Sequence, residues 1–188
     1  MIAPLNTSHV CGYSVLINAP QWLTDQAENI RYEFAGEQKV AHKKPVAAQI
    51  PLVNILSVQS GESDEKVLHS VEKIASMIHC FHVTYTGFSF FDAAEAFRIN
   101  VKDQDPLISL RDLLQGELQP YQLLANAPKS EFTTTTSGDG ANGFDATHYE
   151  FADWSATNDF RVSSLSILKK VAGADAWELL KEVPFGRA

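Results

Sequence analysis

The sequence predicts a two-lobed α/β domain of the α+β class, in which antiparallel-rich sheets face each other across a groove. Helical and strand patterns follow one another in the order βαβ, αββ, αβ and (α)ββ. The last two strand patterns are separated by a short turn, which is typical of a closing hairpin over 160–185. A chain of 188 residues fits one domain, 1–188, and can bury roughly 70% of its unfolded surface.

The first third of the chain predicts a strand, a helix and a second strand. Residues 13–17 form the first strand, which ends at the run Asn18-Ala19-Pro20. The helix that follows has apolar residues at helical spacing and ends at Gly36: Leu23, Ala27, Ile30 and Phe34. The second strand lies within 47–58. Because Pro51 inside it cannot donate to a ladder, we expect an edge or irregular strand.

The middle third predicts a strongly amphipathic helix and two strands. Ser63 can cap this helix, and the carboxylates of Asp64 and Glu65 suit its first turn. Its wide apolar stripe consists of Val67, Leu68, Val71, Ile74, Ala75 and Ile78. The aromatic and β-branched residues of 81–91 and 96–101 then predict two strands.

A third helix is predicted to start with Asp105 as its cap and Pro106 at the first helical position. One face of it is apolar: Leu107, Leu110, Leu114 and Leu118. The segment 119–130 is loop-like, and 132–136 has strand propensity.

The last fifth of the chain predicts a turn, a short helical piece and two strands. The glycine-rich segment 137–143 predicts the turn, and 148–154 the helical piece. Alternating apolar residues predict one strand over 160–168 and the last over 177–183.

The composition limits the kinds of molecule that the protein is expected to bind. The net charge of −8, from 23 acidic and 15 basic residues, argues against an extended nucleic-acid surface, because such binding neutralises many phosphates. A small pocket for one phosphate remains compatible with it. No apolar run reaches the ~20 residues of a membrane span, and the first residues do not read as a signal peptide. Cys11 and Cys80 fit free thiols in a reducing cytoplasm.

Several segments, taken together, resemble a known family. The closing hairpin 160–185 is one of them. Another is the strand ending at 86–91, which precedes the strand 97–101 and a helix that opens at Pro106. In this order and at these separations, they resemble the bacterial 2′-5′ RNA ligase-like (LigT-like) branch of the two-histidine (2H) phosphoesterases over most of 12–185.

This resemblance implies two βαβ-like halves around a central cleft. Each half of such a protein offers one His-x-Thr (or Ser) motif on a strand. One imidazole removes a proton from the attacking hydroxyl or water, and the other protonates the leaving oxygen. The hydroxyls of the motif hold the phosphate oxygens. We expect no cofactor.

The two motif positions of this chain lack the histidines. Aligned by its flanking elements, the first motif has Gln49 in place of histidine and Pro51 in place of the hydroxyl residue. The second places the histidine near Thr135 and the hydroxyl residue near Ser137, within about one residue. A glutamine amide does not titrate, and a threonine hydroxyl is too weak a base. Gln49, Thr133, Thr135 and Ser137 are therefore predicted to bind a ligand rather than to catalyse.

Other histidines give weaker signals. His82 and Thr84 form a literal His-x-Thr, but they follow the second helix, where the family has an ordinary strand, and no second copy lies about 80 residues downstream. His79 and Cys80 precede them without a partner cluster, so we expect no metal. His148 is a surface histidine or, alternatively, a base beside the cleft.

Three functions remain open. The favoured one is a catalytically silent LigT-like protein whose cleft binds a polar or phosphate-bearing ligand, such as a nucleotide or an RNA end. The second is an active 2′-5′ RNA ligase or cyclic phosphodiesterase that uses substitute residues. The third is a protein-interaction module whose cleft is filled by side chains; the sequence does not indicate its protein partner.

Overall fold

The computed structural model describes residues 10–35, 48–56, 63–91, 96–119, 124–125, 133–136, 158–171, 174 and 176–186. These residues form the helices α1 (Gln21–Ala35), α2 (Ser63–Met77) and α3 (Asp105–Leu118). Their strands are β1 (Val10–Asn18), β2 (Gln49–Leu56), β3 (Phe81–Phe91), β4 (Ala96–Lys102), β5 (Leu124–Ala125), β6 (Thr133–Thr136), β7 (Asn158–Val162), β8 (Ser164–Val171) and β9 (Glu178–Pro184).

The strands form two sheets. The five-stranded sheet has the order β5-β2-β1-β8-β9, and the four-stranded sheet has the order β6-β4-β3-β7. Every described strand pair is antiparallel. The predicted α+β class with antiparallel-rich sheets is therefore confirmed.

The helices bury their apolar stripes against the sheets. Helices α2 and α3 pack on each other and on the five-stranded sheet. Helix α1 contacts the four-stranded sheet, where the Tyr85 hydroxyl donates to Gln26 Oε1 at 3.1 Å and the Trp22 and Tyr85 ring centroids are 5.6 Å apart. The predicted apolar residues of α3 are all buried, as are Leu23 and Ala27 of α1. Burial of such side chains stabilises the fold by about 1.5–3 kcal/mol each.

The chain crosses between the sheets at Ser163. The single strand predicted over 160–168 is wrong, because β7 pairs with β3 in one sheet and β8 pairs with β1 in the other. The sequence carries a signal for this break. Phe160 and Val162 are buried at even positions, whereas Leu165 and Ile167 are buried at odd positions. A regular strand cannot bury both sets on one face.

Pro51 lies in an irregular strand, as predicted. It stands opposite Leu16, and the register of the β1–β2 pair shifts between Val15 and Leu16. On the other side of β2, the described residues of β5 pair only with Asn54 and Ile55. The missing N–H of Pro51 therefore removes no ladder bond that the described strands could make.

The start of α3 differs from the prediction by one residue. The cap is Gln104, which makes no side-chain capping bond, and Asp105 is the first helical residue. The prediction of Asp105 as the cap is therefore wrong. Proline is accepted throughout the first turn, where its missing N–H has no partner to lose, so Pro106 does not fix the start to one residue. The Asp105 carboxylate still favours the positive end of the helix.

The other boundaries lie close to those predicted. Strand β9 spans Glu178–Pro184, against a prediction of 177–183, and pairs with β8 as the closing hairpin. The predicted turn at 137–143 and the helical piece at 148–154 lie outside the described residues.

Candidate ligand-binding site

The first motif position opens β2 at one end of the five-stranded sheet. Gln49 stands opposite Asn18. Its chain neighbours Ala48 and Ile50 are buried, whereas Gln49 is partly exposed. Since alternate residues of a strand lie on opposite faces, the Gln49 side chain lies on the face away from α2 and α3. It does not point into the core.

A chain of hydrogen bonds connects Gln49 to the interior of this sheet. The Gln49 Nε2 donates to Asn18 Oδ1 at 3.3 Å, and Asn18 Nδ2 donates to Ser166 Oγ at 2.7 Å. Ser166 is only 2% exposed, whereas Asn18 is exposed. Three strands thus supply one polar chain that runs from a buried hydroxyl to a surface amide.

A second polar pair lies on the same face, which we call the polar face: the face of the five-stranded sheet that bears Gln49, Asn18, Ser166, Ser14 and Asn54. Ser14 Oγ donates to Asn54 Oδ1 at 2.7 Å. Between the two groups, Pro51 and Leu16 stand opposite each other, and Leu16 is 3% exposed. The centre of the polar face is covered, and its margin at Gln49 is open.

The second motif position lies in β6, at the edge of the four-stranded sheet. Thr133 stands opposite Asn100, and Thr135 stands opposite Arg98. The backbones of β6 and β2 approach each other to within 8 Å between Cα atoms. The structure therefore brings the two strands of the predicted motifs together. Ser137 lies outside the described residues.

The literal His-x-Thr lies in β3. His82 is exposed, with its Nε2 3.9 Å from Asp159 Oδ2. At that separation the two side chains form no hydrogen bond, so Asp159 does not orient the imidazole. Among the residues that the structure describes, no three His, Cys, Asp or Glu side chains form a group that could hold a metal ion. His148 lies outside them.

An electrostatic cluster lies on the other side of the sheet, at the start of α2. The Tyr13 hydroxyl donates to Asp64 Oδ1, and Lys169 Nζ donates to Asp64 Oδ2 at 2.6 Å. Burial alone would raise the pKa of Asp64, but the hydrogen bonds from Lys169 and Tyr13 and the lysine charge outweigh it and lower that pKa below 3.8. This cluster ties α2 to β1 and β8 and is separate from Gln49.

The sequence reasoning missed four polar residues of this face: Asn18, Ser166, Ser14 and Asn54. Ser14 and Ser166 interrupt otherwise apolar strands, and Asn18 belongs to the run Asn18-Ala19-Pro20 that predicts only the end of a strand. A polar residue at an interior strand position is a usable signal, because a buried hydroxyl needs a hydrogen-bond partner. The identity of that partner required the strand register.

The fold is that of the LigT-like 2H phosphoesterases, which confirms the resemblance at the level of the fold. The chain is similar to E. coli LigT in its apo form, with a TM-score of 0.60 and 16% identity over 94% of this chain and 98% of LigT. It is also similar to the Thermus thermophilus protein TT0787, with a TM-score of 0.65 and 8% identity over 94% and 98%.

LigT structures with bound ligands give similar matches. The complex with NADP+ aligns with a TM-score of 0.61 and 13% identity, covering 95% of this chain and 99% of LigT. E. coli LigT also forms crystalline complexes with 3′-AMP, ATP and phosphate. No protein-family model matches the sequence, and no curated protein matches it. In the part of the chain that the structure describes, no helix is both long and apolar enough to cross a membrane.

Proposed function

We propose that this protein is a catalytically silent LigT-like protein whose cleft binds a nucleotide or another phosphate-bearing ligand. One observation carries the proposal: the position that the resemblance assigns to the first histidine holds Gln49, which is hydrogen-bonded to Asn18 on an open margin of the polar face. The near-complete overlap with LigT, 94% of this chain and 98% of that one, supports a single domain.

The chemistry of an amide favours binding over turnover. An imidazole exchanges a proton near neutral pH, whereas a glutamine amide offers two N–H donors and one acceptor and does not titrate. Such a group can hold a phosphate oxygen. It cannot remove a proton from an attacking hydroxyl, and equal binding of substrate and transition state does not accelerate the chemical step.

The fold favours a phosphate-bearing ligand, and the net charge argues that this ligand is small. E. coli LigT, which shares the fold, crystallises with 3′-AMP, ATP, NADP+ and phosphate. The net charge of −8 disfavours a long nucleic acid, so we propose a nucleotide or a single RNA end. The free thiol of Cys80 accords with a cytoplasmic location.

Titration calorimetry with 3′-AMP, ATP and inorganic phosphate tests this function. Gln49→Leu keeps a side chain of similar size and removes the amide, so we expect about 5- to 30-fold weaker binding, the value of one or two hydrogen bonds. Gln119→Ala is the matched control, because it removes an exposed amide after the last turn of α3. Equal loss in both variants, or no binding of any of the three ligands by the unmodified protein, contradicts the proposal.

One observation favours the protein-interaction module as the second candidate. Leu16, Ser166 and Ser14 are only 3%, 2% and 7% exposed, although they lie on the polar face. A polar face whose centre is covered in this way leaves less room for a ligand. The same titrations separate the two candidates, since a filled cleft binds none of the three compounds.

A further inference from the structure

We propose that the ligand of this site carries a free hydroxyl group next to its phosphate, and that Asn18 is the positioning residue that makes Gln49 select it. This inference rests on the proposed function and specifies the ligand class of the same site. It follows from the direction of the hydrogen bonds along the chain from Ser166 to Gln49.

In the structure the Asn18 amide lies with its nitrogen toward the buried end of the chain. Asn18 Nδ2 donates to Ser166 Oγ at 2.7 Å, and Ser166 is 2% exposed within the sheet. With its nitrogen used there, Asn18 turns Oδ1 toward the next side chain. Gln49 can approach an oxygen only with a donor, and its Nε2 does so at 3.3 Å.

The orientation of Gln49 then determines what it offers to a ligand. One N–H is used on Asn18, which leaves one N–H donor and the acceptor Oε1. A dianionic phosphate presents only acceptor oxygens, so it can use the N–H but would repel Oε1. A ribose hydroxyl beside the phosphate can donate to Oε1 while a phosphate oxygen accepts the N–H. A nucleoside 3′-phosphate with a free 2′-hydroxyl has both groups on adjacent carbons.

The second polar pair of the same face shows the opposite direction. There the Ser14 hydroxyl donates to Asn54 Oδ1, so the amide nitrogen of Asn54 is the group left for other partners. An amide held in this way presents donors and does not select a hydroxyl. It is therefore an internal control, made of the same residue types on the same sheet face.

Calorimetry with 3′-AMP and 2′-deoxy-3′-AMP measures the selection. We expect the unmodified protein to bind the deoxynucleotide about 5- to 20-fold more weakly, the value of one hydrogen bond to an otherwise unpaired acceptor. Asn18→Ala frees the second Gln49 N–H, so the amide can turn both donors toward the phosphate instead of Oε1 toward the hydroxyl, and this ratio should fall. Asn54→Ala should leave the ratio unchanged.

A conservative variant separates positioning from mere structural support. In Asn18→Asp the carboxylate accepts from both Ser166 and Gln49, so the orientation of Gln49 is kept. We expect the ratio to persist while both affinities fall through charge repulsion of the phosphate. Ser166→Ala removes the hydroxyl that accepts from Asn18 Nδ2, so the Asn18 amide can rotate. Like Asn18→Ala, it should reduce the ratio of the two affinities.

The outcomes distinguish the two proposals. If 3′-AMP and its deoxy form bind the unmodified protein equally, the hydroxyl selection is wrong while the proposed function stands. A ratio that survives in both Asn18→Ala and Ser166→Ala contradicts the positioning role. Absence of binding by 3′-AMP, ATP and inorganic phosphate overturns both proposals.

Discussion

Asp64 stabilises the folded protein at neutral pH, and this contribution is lost in acid. Its carboxylate accepts hydrogen bonds from Tyr13 and Lys169, and its pKa is lowered in the folded state. A lowered folded-state pKa contributes stability that is complete above the unfolded value of 3.8 and is lost as pH falls through the lower folded value. We expect urea midpoints to decline below about pH 4 by more than those of Asp64→Asn.

At pH 7, Asp64→Asn should lower the free energy of unfolding by about 1–2 kcal/mol, a modest value because the side chain is 31% exposed. Asp112→Asn is the control. That carboxylate is 59% exposed and pairs with the adjacent Arg111, so its loss should cost less than about 0.5 kcal/mol. Equal effects of the two substitutions at pH 7 would contradict the role assigned to Asp64.

Sequence reasoning identified one residue of the polar chain and not its partners. Gln49 was identified from its place relative to the flanking elements, at the start of a predicted strand, which is a local property. Its partners depend on pairing across long separations in the chain: 31 residues between Asn18 and Gln49, and 148 between Asn18 and Ser166. The sequence contains no local record of such pairing, so only the structure shows which amide meets which hydroxyl.

The end of β9 is docked onto the last turn of α2 through a glycine. Gly186 N donates to Ala75 O at 3.0 Å, and a Cβ at Gly186 would lie 2.5 Å from the Ser76 carbonyl oxygen. Gly186→Ala therefore forces backbone atoms apart, and we expect a loss of about 1–3 kcal/mol in urea unfolding. The control is Gly116→Ala in α3, where a Cβ meets nothing within 4 Å.

Because alanine is the better helix former, Gly116→Ala should raise the free energy of unfolding by about 0.5–1 kcal/mol. The two glycine substitutions thus have opposite expected signs. A neutral Gly186→Ala would mean that the segment after β9 is not held against α2.

The sequence predicts the helices and strands that have a periodic apolar pattern. It does not predict which sheet each strand joins. The stripe of α2 from Val67 to Ile78 predicted a helix that the structure has at Ser63–Met77. In contrast, β7 and β8 are separated by Ser163 alone and enter different sheets. A strand pattern reports burial of one face, and burial is available in either sheet.

Each sheet combines strands from both halves of the chain. The five-stranded sheet contains the first two and the last two described strands together with β5, and β1 lies between β2 and β8. The four-stranded sheet is built from strands between them in sequence. Neither sheet can form from one half of the chain alone. The motif strands β2 and β6, in different sheets, approach each other only in the complete molecule.

At the level of activity, we expect the unmodified protein neither to hydrolyse 2′,3′-cyclic phosphates nor to join RNA ends. General acid–base catalysis contributes roughly 10²–10⁴ per group, and neither position assigned to the family histidines holds a titrating side chain. Product analysis by chromatography checks this. Robust activity that His82→Ala or His148→Ala abolishes would show that those histidines are the catalysts.

Restoring the missing groups tests the assignment of the motif positions in a stronger way. Gln49→His with Thr135→His returns an acid and a base to two strands that approach each other, and Pro51→Thr returns a hydroxyl. The described strands lack a ladder partner on the outer side of β2 at Pro51, so the new N–H disturbs no pairing. We expect measurable cyclic phosphodiesterase activity from the triple variant.

The same variant with Thr134→His in place of Thr135→His is the control, because adjacent strand residues lie on opposite faces. Equal activity of the two would contradict the register assigned to β6.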